Sequence, residues 1–549
     1  MLVKVNGKSV KMAQPQRILD IIDNKDKRYI AAKINNQIHD LSYIPDDKSE
    51  IELLDLNDVR GVKIYVATLR FIISMACKRL WPNARCLFNY SISRSIFCSL
   101  SHLGHSFTAE NLKMLEDEIN KIIKKDYQIN DKIIPYEECK RIYKMQGFKD
   151  KLEILKYSKT AYVPITECNG YYDYLYDYSL PSTGYITKFK LKFYSPGFLI
   201  FYPRAECKGD IPDFEEEKVF RDVLREANYW SNIIKTGTIN QINDKVRKGN
   251  ALELINICET RHNDQIAKLG DKIAKEVERL RLICVAGPSS SGKTTFTNRL
   301  RIELYARGIV PLMISMDNFY FDDQSKYPKD EKGNYDYEHI DALDLELFDS
   351  VIFRLIQGEA VELPEFNFKT KKRTFTKPIK IDSRQPILIE GIHGLDTAIC
   401  PSIPDENKYK IFIAPLGQYR IDDHTPISLS DMRLIRRMVR DREFRNTPCE
   451  TTLATWQSVR AGEFRWIYKY QNYADTVFNS ELAYEPLVLA KYAIPALKEI
   501  KEDSQYYITA KRLLLLLGCY ESISDKWVPC NSILREFIGD SIFYTEDKR

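Results

Sequence analysis

The segment Arg281–Leu304, RLICVAGPSSSGKTTFTNRLRIEL, decides the fold class of this chain. It opens with a short apolar run typical of a buried strand and closes with apolar residues at helical spacing. Between the two, Gly287–Thr294 matches the spacing GxxxxGK[ST]. Glycines let the backbone wrap a phosphate, so that consecutive N–H groups and the N-terminus of the following helix face the anion. The segment therefore predicts a phosphate-binding loop between a strand and a helix of an α/β sheet.

Each polar residue type in this loop has an expected role toward ATP. Lys293 brings a positive charge to the β- and γ-phosphates, and the Thr294 hydroxyl can coordinate Mg²⁺. The main-chain and hydroxyl groups are expected to hold the phosphates. The predicted ATP-binding residues of the loop are Gly287, Ser289, Ser290, Ser291, Gly292, Lys293, Thr294 and Thr295.

Two acidic residues follow predicted strands further along the chain. The strand in VPLMISMDNFYFDD ends near Asp317, and the strand in QPILIEGIHGL ends at Glu390. Because the carboxyl ends of neighbouring parallel strands meet in one crevice, both acids are expected beside the phosphates. Asp317 can orient and deprotonate an attacking hydroxyl there, or it is a helix N-cap. Glu390 is expected to hold hydrated Mg²⁺. Lys293, Asp317 and Glu390 are thus the predicted catalytic residues.

The stretch DMRLIRRMVRDREFR predicts a helix with an arginine face. Arg433, Arg436, Arg437 and Arg440 recur at i, i+3, i+4 and i+7, which places them on one side of a helix. Such a face repels itself unless it meets anions, and a mobile lid would bring it to the phosphates of ATP. The alternatives are a solvated basic helix and an RNA-binding face.

Seven segments stand in the order seen in the uridine kinase and phosphoribulokinase family, which the chain resembles. They are GPSSSGKTT, SMDNFY, YDYEHIDALDL, LPEFNF, ILIEGIHGL, RLIRRMVRD and NYADTVFNS. The resemblance implies an α/β fold, a P-loop kinase with a mostly parallel sheet flanked by helices. It implies the use of ATP and Mg²⁺ to phosphorylate a nucleoside 5′-hydroxyl, with uridine as the first candidate. Another small sugar or alcohol is the second candidate.

The resemblance also assigns roles to single residues. It makes Asp317 the base for the sugar hydroxyl and Glu390 the Mg²⁺-associated acid, and it adds Arg436 and Arg440 to the ATP site. Phe366 and Lys371 stand where the family has a tyrosine and a histidine that contact a pyrimidine, and this loss of hydrogen-bonding groups leaves base choice open. Glu338 would replace an aspartate that holds ribose hydroxyls. The expected acceptor-site residues are Tyr320, Glu338, His339, Phe366, Lys371, Arg373, Arg437 and Arg445.

The front of the chain resembles the front of threonyl-tRNA synthetases. Residues 1–60 resemble their TGS module, a small ubiquitin-like α/β unit, with a hairpin predicted at Asn6-Gly7. Residues 61–225 resemble their second additional domain, an α+β unit. Thr68, Leu69 and Arg70 stand where the synthetases carry a paired-histidine editing motif, which argues against editing. The remaining expected units are a helical connector at 226–279, the kinase at 280–500 and a helical tail at 501–549.

Composition limits the partners that we expect. The net charge of +5 is small against 82 basic and 77 acidic residues, so no general coat for nucleic acid or membrane is predicted. The first residues lack the apolar segment of a secretory signal, and the twelve cysteines form no CxxC pair, which indicates a cytoplasmic protein. The expected partner is a small molecule, and the resemblance allows a homo-oligomer. A nucleotide-binding regulatory or RNA-binding protein with a synthetase-like front is the hypothesis of another class.

Overall fold

The computed structural model describes residues 2–157, 160–176, 178–329, 333, 335–367, 370–382 and 384–543, and their strands form five sheets. The first sheet has the order β2-β1-β5-β3-β4. The predicted hairpin is confirmed, because Asn6 and Gly7 take φ values of 46° and 79° between β1 and β2. The elements are β1 (Leu2–Val5), β2 (Lys8–Lys11), α1 (Ile18–Ile21), β3 (Ala31–Ile34), β4 (Gln37–His39) and β5 (Glu50–Leu54).

A second unit combines a four-stranded sheet, β11-β12-β7-β6, with a three-stranded sheet, β10-β9-β8. Its long first helix, α2, is buried along most of its length. Helix α3 begins at a capping box in which the side chains of Thr108 and Asn111 each bind the other residue's main chain. The elements are α2 (Val59–Leu80), β6 (Arg85–Ile92), β7 (Ser95–Ser101), α3 (Ala109–Lys125), β8 (Asn130–Pro135), α4 (Tyr136–Gln146), α5 (Lys149–Leu155), β9 (Tyr162–Cys168), β10 (Tyr171–Asp173), β11 (Lys190–Tyr194) and β12 (Gly197–Phe201).

Three helices lead from this unit to the third. They are α6 (Lys218–Ile233), α7 (Ile239–Arg247) and α8 (Ala251–Lys275). Helices α7 and α8 bury Ile242, Leu254 and Ile273 in the same core as the strand residues Ile283 and Ile411. The predicted connector is therefore helical, and much of it packs as part of the third unit.

The third unit is built on a parallel five-stranded sheet with the order β14-β17-β13-β18-β19. Strands β13, β17 and β18 are buried along their whole length, as expected for parallel strands covered on both faces. The elements are β13 (Leu282–Ala286), α9 (Lys293–Tyr305), β14 (Leu312–Ser315), α10 (Leu345–Ile356), β15 (Pro364–Asn367), β16 (Lys372–Phe375), β17 (Ile387–Glu390), β18 (Lys408–Ala414), α11 (Leu429–Arg445), α12 (Cys449–Gly462), β19 (Thr476–Asn479), α13 (Glu485–Lys498), α14 (Tyr507–Gly518) and α15 (Arg535–Ile538).

This sheet confirms the predicted α/β fold and places the site. Strands β14, β17 and β13 are neighbours, so Asp317, Glu390 and Gly287 all follow at the same carboxyl edge. The predicted tail contains helices α14 and α15, which pack into the core of the third unit.

A buried charge cluster joins the second unit to the third. Lys151 lies with its Nζ atom 2.6 Å from both Asp173 and Asp422, and Nδ1 of His424 lies 2.6 Å from Asp173. All of these side chains are at least nine-tenths buried. Burial opposes the charge on Lys151, yet the two carboxylates raise its pKa well above the ordinary value. No helix among the described residues is both long and apolar enough to cross a membrane.

Candidate active site

The phosphate-binding loop is fixed at both ends by glycines. A Cβ atom on Gly287 would lie 2.0 Å from the carbonyl oxygen of Ile413, so no side chain fits at that position. Gly292 has φ +89° at the start of α9, a conformation that side chains rarely adopt. The predicted strand-loop-helix arrangement is thus present, with β13 before the loop and α9 after it.

Unpartnered groups line the loop. The hydroxyls of Ser290, Ser291 and Thr295 are buried without a hydrogen-bond partner among the described residues. The first main-chain bond inside α9 runs from Phe296 N–H to the Gly292 carbonyl at 3.0 Å, so the amides before it have no helical partner. Buried hydroxyls are rarely left without a hydrogen bond in folded proteins. The loop therefore fits a polyphosphate.

Lys293 lies across its own loop. Its Nζ atom donates to the carbonyl oxygens of Gly287 at 2.9 Å and Pro288 at 3.2 Å. Burial lowers the pKa of Lys293, and the charges of Glu390 and Asp317 oppose that effect. The ammonium group therefore sits between the loop and the two predicted acids.

Asp317 and Glu390 lie close together at the carboxyl edge of the sheet. Ser315, at the end of β14, donates from its hydroxyl to Oε1 of Glu390 at 3.2 Å. Burial raises the pKa of Glu390 to about 7, and the charge of Asp317 adds to this effect. Burial also raises the pKa of Asp317, against the pull of Lys293. Two crowded carboxylates beside one ammonium group form a site that a divalent cation would stabilise.

The protein groups at this site could supply only a few of the ligands of a Mg²⁺ ion. No group of three or more His, Cys, Asp and Glu side chains in the described part of the chain is placed to hold a metal ion. Mg²⁺ in phosphotransfer sites is typically held by one or two protein groups, with waters and substrate phosphates completing its shell. Glu390 and the half-buried Thr294 suit that role, which stays a prediction.

Glu338 and His339 border the cleft on the side expected for the acceptor. Oε2 of Glu338 is buried with no hydrogen-bond partner in the described chain, and burial raises the pKa of this carboxyl to about 7. The segment packs tightly on the end of α12, since a Cβ on Gly462 would lie 2.6 Å from Cβ of Glu338. The ring of His339 lies 4.0 Å from that of Trp466.

The hairpin β15–β16 forms a second wall of this region. The rings of Phe366 and Tyr320 lie 5.9 Å apart, and the Phe366 amide donates to Asn318 at 3.3 Å. Lys371 is at the hairpin turn with φ +55°, is exposed, and lies 6.0 Å from the Tyr337 ring. Phe366 is therefore placed to stack on a flat group, while Lys371 stands at the rim.

The guanidinium of Arg373 binds other groups of the protein. Its guanidinium pairs with Asp344 at 3.0 Å and donates to the carbonyl of Tyr320 at 2.8 Å. These bonds tie the hairpin to the segment after β14. The geometry gives Arg373 a positioning role for Tyr320, and its contact with an acceptor stays a prediction.

The arginines of helix α11 have different partners, and buried carboxylates bind two of them. Arg436 is fully buried and pairs with Glu485, with Nε and Oε1 3.1 Å apart. Arg433 pairs with buried Glu463 and donates to the carbonyl of Ser289 at 2.9 Å. The structure therefore does not bring Arg436 to the cleft, because the buried carboxylate of Glu485 holds its guanidinium in the core.

The remaining arginines do turn toward the cleft. Arg437 donates to the hydroxyl of Ser289 at 2.8 Å. Asp441 pairs with Arg440 at 2.8 Å, with Arg437 at 3.3 Å and with Arg445 at 3.5 Å. Burial and the charge of Arg440 lower the pKa of Arg445 to about 10. One carboxylate thus neutralises only part of the charge of three arginines, and the positive charge that remains favours binding of an anion.

Three site residues have no part in the sequence predictions. His393 is buried near Glu338 with neither ring nitrogen hydrogen-bonded within the described chain, and burial lowers its pKa to about 3. The buried indole N–H of Trp466 has no hydrogen-bond partner in the part of the chain that the structure describes. Glu463 accepts from the Ser289 amide at 3.2 Å. Glu463 and Trp466 lie on a π-helical turn, a feature frequent at functional sites. His393 stands three residues after Glu390 in the sequence, a signal that could have found it.

Comparisons with known proteins divide the chain in two. Residues 282–483 match the phosphoribulokinase / uridine kinase family. The uridine kinase of Ureaplasma parvum is 30% identical over 177 residues, which is 32% of this chain and 76% of that kinase. The uridine kinase of Vibrio parahaemolyticus is 29% identical over 198 residues, which is 36% of this chain and 85% of that kinase.

The front part matches a protein of a different kind. The threonine--tRNA ligase of Syntrophomonas wolfei is 29% identical over 173 residues, which is 31% of this chain. The chain spans only 27% of that ligase's length. The match supports a synthetase-like module in the N-terminal part of the chain.

Proposed function

The chain belongs to the phosphoribulokinase / uridine kinase family, a family of ATP-dependent kinases, and from this premise we propose that it transfers phosphate from ATP to a nucleoside 5′-hydroxyl, with uridine as the first candidate. One observation carries the proposal. The loop at Gly287, the base candidate Asp317 and the acid Glu390 follow three neighbouring strands at one sheet edge. Arg437, with its neighbours at the end of α11, lies across the same cleft.

Asp317 would act as the general base. Its burial raises its pKa toward the range in which a carboxylate takes a proton from a hydroxyl effectively. As the acceptor oxygen bonds to the γ-phosphorus, Asp317 takes the hydroxyl proton and the bond to the β-phosphate oxygen breaks, which releases ADP. The charge on the moving phosphoryl group would be met by Lys293 and Arg437. When bound, Mg²⁺ would supply further neutralisation of the phosphate charge, and Thr294 and Glu390 would hold it.

Pre-organisation of the loop supports this assignment. Ser289 is bound at three points: its amide by Glu463, its carbonyl by Arg433 and its hydroxyl by Arg437. Burial opposes the charge on Glu463, yet Arg433 and a second arginine, Arg460, keep its pKa below the ordinary value. A loop held in this way loses little entropy on binding phosphate, which favours catalysis by positioning.

The acceptor side supports a polyhydroxyl substrate. Buried polar atoms without a partner in the described chain, in Glu338, His393 and Trp466, can accept or donate hydrogen bonds to sugar hydroxyls. Phe366 offers a ring face and no hydroxyl, so base recognition would rest on stacking. That feature also favours the second candidate function, a kinase of another small sugar or alcohol.

The units of the chain carry proposals of their own. We propose units at 1–60, 61–225, 226–279, 280–500 and 501–549, with catalysis confined to the fourth. The synthetase-like front would act on the kinase through the buried cluster at Lys151, since that cluster reaches the segment just before α11.

The deciding experiment offers purified full-length protein ATP and Mg²⁺ with a panel of nucleosides and sugars and measures ADP release. Uridine-dependent release, with 5′-phosphorylated product by mass spectrometry, is the expected result. Release with sugars alone would favour the second candidate. Nucleotide binding without turnover on any acceptor would reject the kinase and favour a regulatory or RNA-binding protein.

A further inference from the structure

A segment near the end of the described chain, residues 532–537, covers the start of helix α9. Ile533 packs so closely that a Cβ atom on Gly292 would lie 2.4 Å from its Cγ2 atom. Ser532, Ile533, Leu534 and Phe537 of this segment are fully buried. The segment lies outside residues 282–483, the part that matches the kinase family. Its contact with the loop is therefore visible only in the fold.

Glu536 reaches from this segment into the phosphate-binding loop. The Thr295 amide donates to Oε2 of Glu536 at 3.0 Å. Thr295 is the third residue of α9, so its N–H is one of the amides that the helix leaves unpaired and directs at an anion. The Glu536 carboxylate thus occupies an N–H group that is suited to bind a phosphate of the nucleotide.

The neighbouring groups show that this anion position belongs to the nucleotide site. The negative charge of Glu536 acts on both Lys293 and Glu390. The hydroxyl of Thr295 and that of Ser291 lie in the same loop, buried and unpartnered within the described residues. A carboxylate and a phosphate cannot both accept from one N–H at close range, because their charges repel. Binding of a nucleotide phosphate at the Thr295 amide must therefore displace the Glu536 side chain.

The segment is anchored by groups other than Glu536. The Ser532 hydroxyl donates to Glu259 at 2.6 Å, and Arg535 donates to the carbonyl of Val528 at 2.7 Å. The guanidinium of Arg436 lies 5.2 Å from the centre of the Phe537 ring. The side chain of Glu536 itself is half-buried. It can consequently swing away by bond rotation while the rest of the segment stays in place.

We propose that Glu536 is a phosphate placeholder. Its carboxylate binds the Thr295 amide when no nucleotide is bound, and a phosphate of the nucleotide replaces it there. The residue would then set the affinity for nucleotides by competing with them, and it would keep the loop in its binding shape meanwhile. This inference rests on the proposed function, since it assumes that the loop binds nucleotide phosphate.

The test measures the dissociation constants of ADP and of adenosine, each with Mg²⁺, by calorimetry on full-length protein. Glu536→Gln keeps the shape and the hydrogen bond but removes the charge, and Asp540→Asn removes a charge from an exposed side chain nearby. ADP should bind Glu536→Gln about 5- to 10-fold more tightly than wild type, since charged partners make stronger hydrogen bonds. Adenosine should bind both variants and wild type alike, because it carries no phosphate. Glu536→Ala, checked for an unchanged melting temperature, should tighten ADP binding as well.

The outcomes distinguish failure of this inference from failure of the proposed function. If wild type binds ADP and Glu536→Gln binds it no more tightly, the placeholder is rejected and the kinase stands. Weaker ADP binding that depends on Mg²⁺ would instead make Glu536 a metal-associated group and would also reject the placeholder. If no form of the protein binds ADP, both the placeholder and the proposed function fail.

Discussion

The Nε atom of Arg436 donates to Oε1 of Glu485 at 3.1 Å, and the two side chains are at most 1% exposed. The arginines of helix α11 therefore differ in their partners. Arg436 pairs in the core, and Arg433 links a buried carboxylate to the loop at Ser289. Arg437 and Arg440 lie at the cleft. Substitutions of these arginines should have different effects.

Arg436→Met should cost stability. It would leave the buried carboxylate of Glu485 unpaired, which typically costs about 3–5 kcal/mol. Arg442→Met, on the same helix, removes a pair with Glu499 whose side chains are 36% and 62% exposed, and should cost less than about 1 kcal/mol. Urea denaturation of both variants measures the difference. Equal free energies of unfolding would show that the Arg436 pair does not stabilise the fold.

Asp317→Asn should stop phosphate transfer without stopping nucleotide binding. Removing a general base typically lowers the rate about 10²- to 10⁴-fold, while the loop that binds ADP is unchanged. Steady-state rates with uridine and ADP calorimetry measure the two quantities. Asp322→Asn, at an exposed position on the same segment, is the matched control and should keep full activity. Turnover that persists in Asp317→Asn would remove Asp317 from the role of base.

Glu390 should make the stability of the protein depend on pH. Burial raises its folded-state pKa to about 7 from an ordinary value of 4.5, so the folded protein binds this proton more tightly than the unfolded chain. Its contribution to the free energy of unfolding should therefore fall as pH rises from about 5 to about 8, by up to about 3 kcal/mol.

Denaturation of Glu390→Gln across this pH range is the measurement. The neutral amide should give a flatter profile than wild type, and Glu362→Gln, at an exposed glutamate, should keep the wild-type slope. An unchanged slope in Glu390→Gln would mean that the carboxyl titrates at its ordinary value.

Trp466→Phe should weaken acceptor binding selectively. It keeps an aromatic six-membered ring and removes the pyrrole part of the indole with its N–H, which is unpartnered within the described chain. KM for uridine should rise about 3- to 10-fold if a substrate oxygen accepts from this group, with the ADP dissociation constant unchanged. Trp81→Phe, in the second unit, serves as the control. An unaltered KM would place the acceptor elsewhere in the cleft.

Lys151→Met should destabilise the junction between the second and third units. It would leave Asp173 and Asp422 facing each other in the interior, with an expected cost of about 3–5 kcal/mol. Lys132→Met loses a pair with Glu167 in which the lysine is 46% exposed, and should cost less than about 1 kcal/mol. Thermal unfolding followed separately at probes in the two units would also show whether their transitions come apart in Lys151→Met.

The sequence was informative where local pattern determines position. The loop at Gly287 and the strand ends before Asp317 and after Ile389 were predictable, because parallel strands bring their carboxyl ends together whatever the loops between them do. Helical periodicity placed the arginines of α11 on the right element. It could not show which of them pair with buried carboxylates, because the partners of Arg433 and Arg436, Glu463 and Glu485, lie 30 and 49 residues away.

Other parts of the site had no local signal. Glu536 lies 241 residues from its partner Thr295, and nothing in the sequence near either one indicates the contact. Arg373 was assigned by resemblance to an acceptor contact, and no local pattern indicates that its guanidinium also binds Asp344 and nearby carbonyls. Tertiary partners, not residue type, decide such roles.

The cluster around Lys151 also bears on how this chain can evolve. Two of its pairs, Lys151 with Asp422 and Asp173 with His424, cross between two regions whose relatives are separate proteins. Recombination that exchanged either half for a relative's copy would therefore break these two buried pairs unless the copy carried matching residues. Selection would then act on both halves together, so that the two regions would diversify as a single unit.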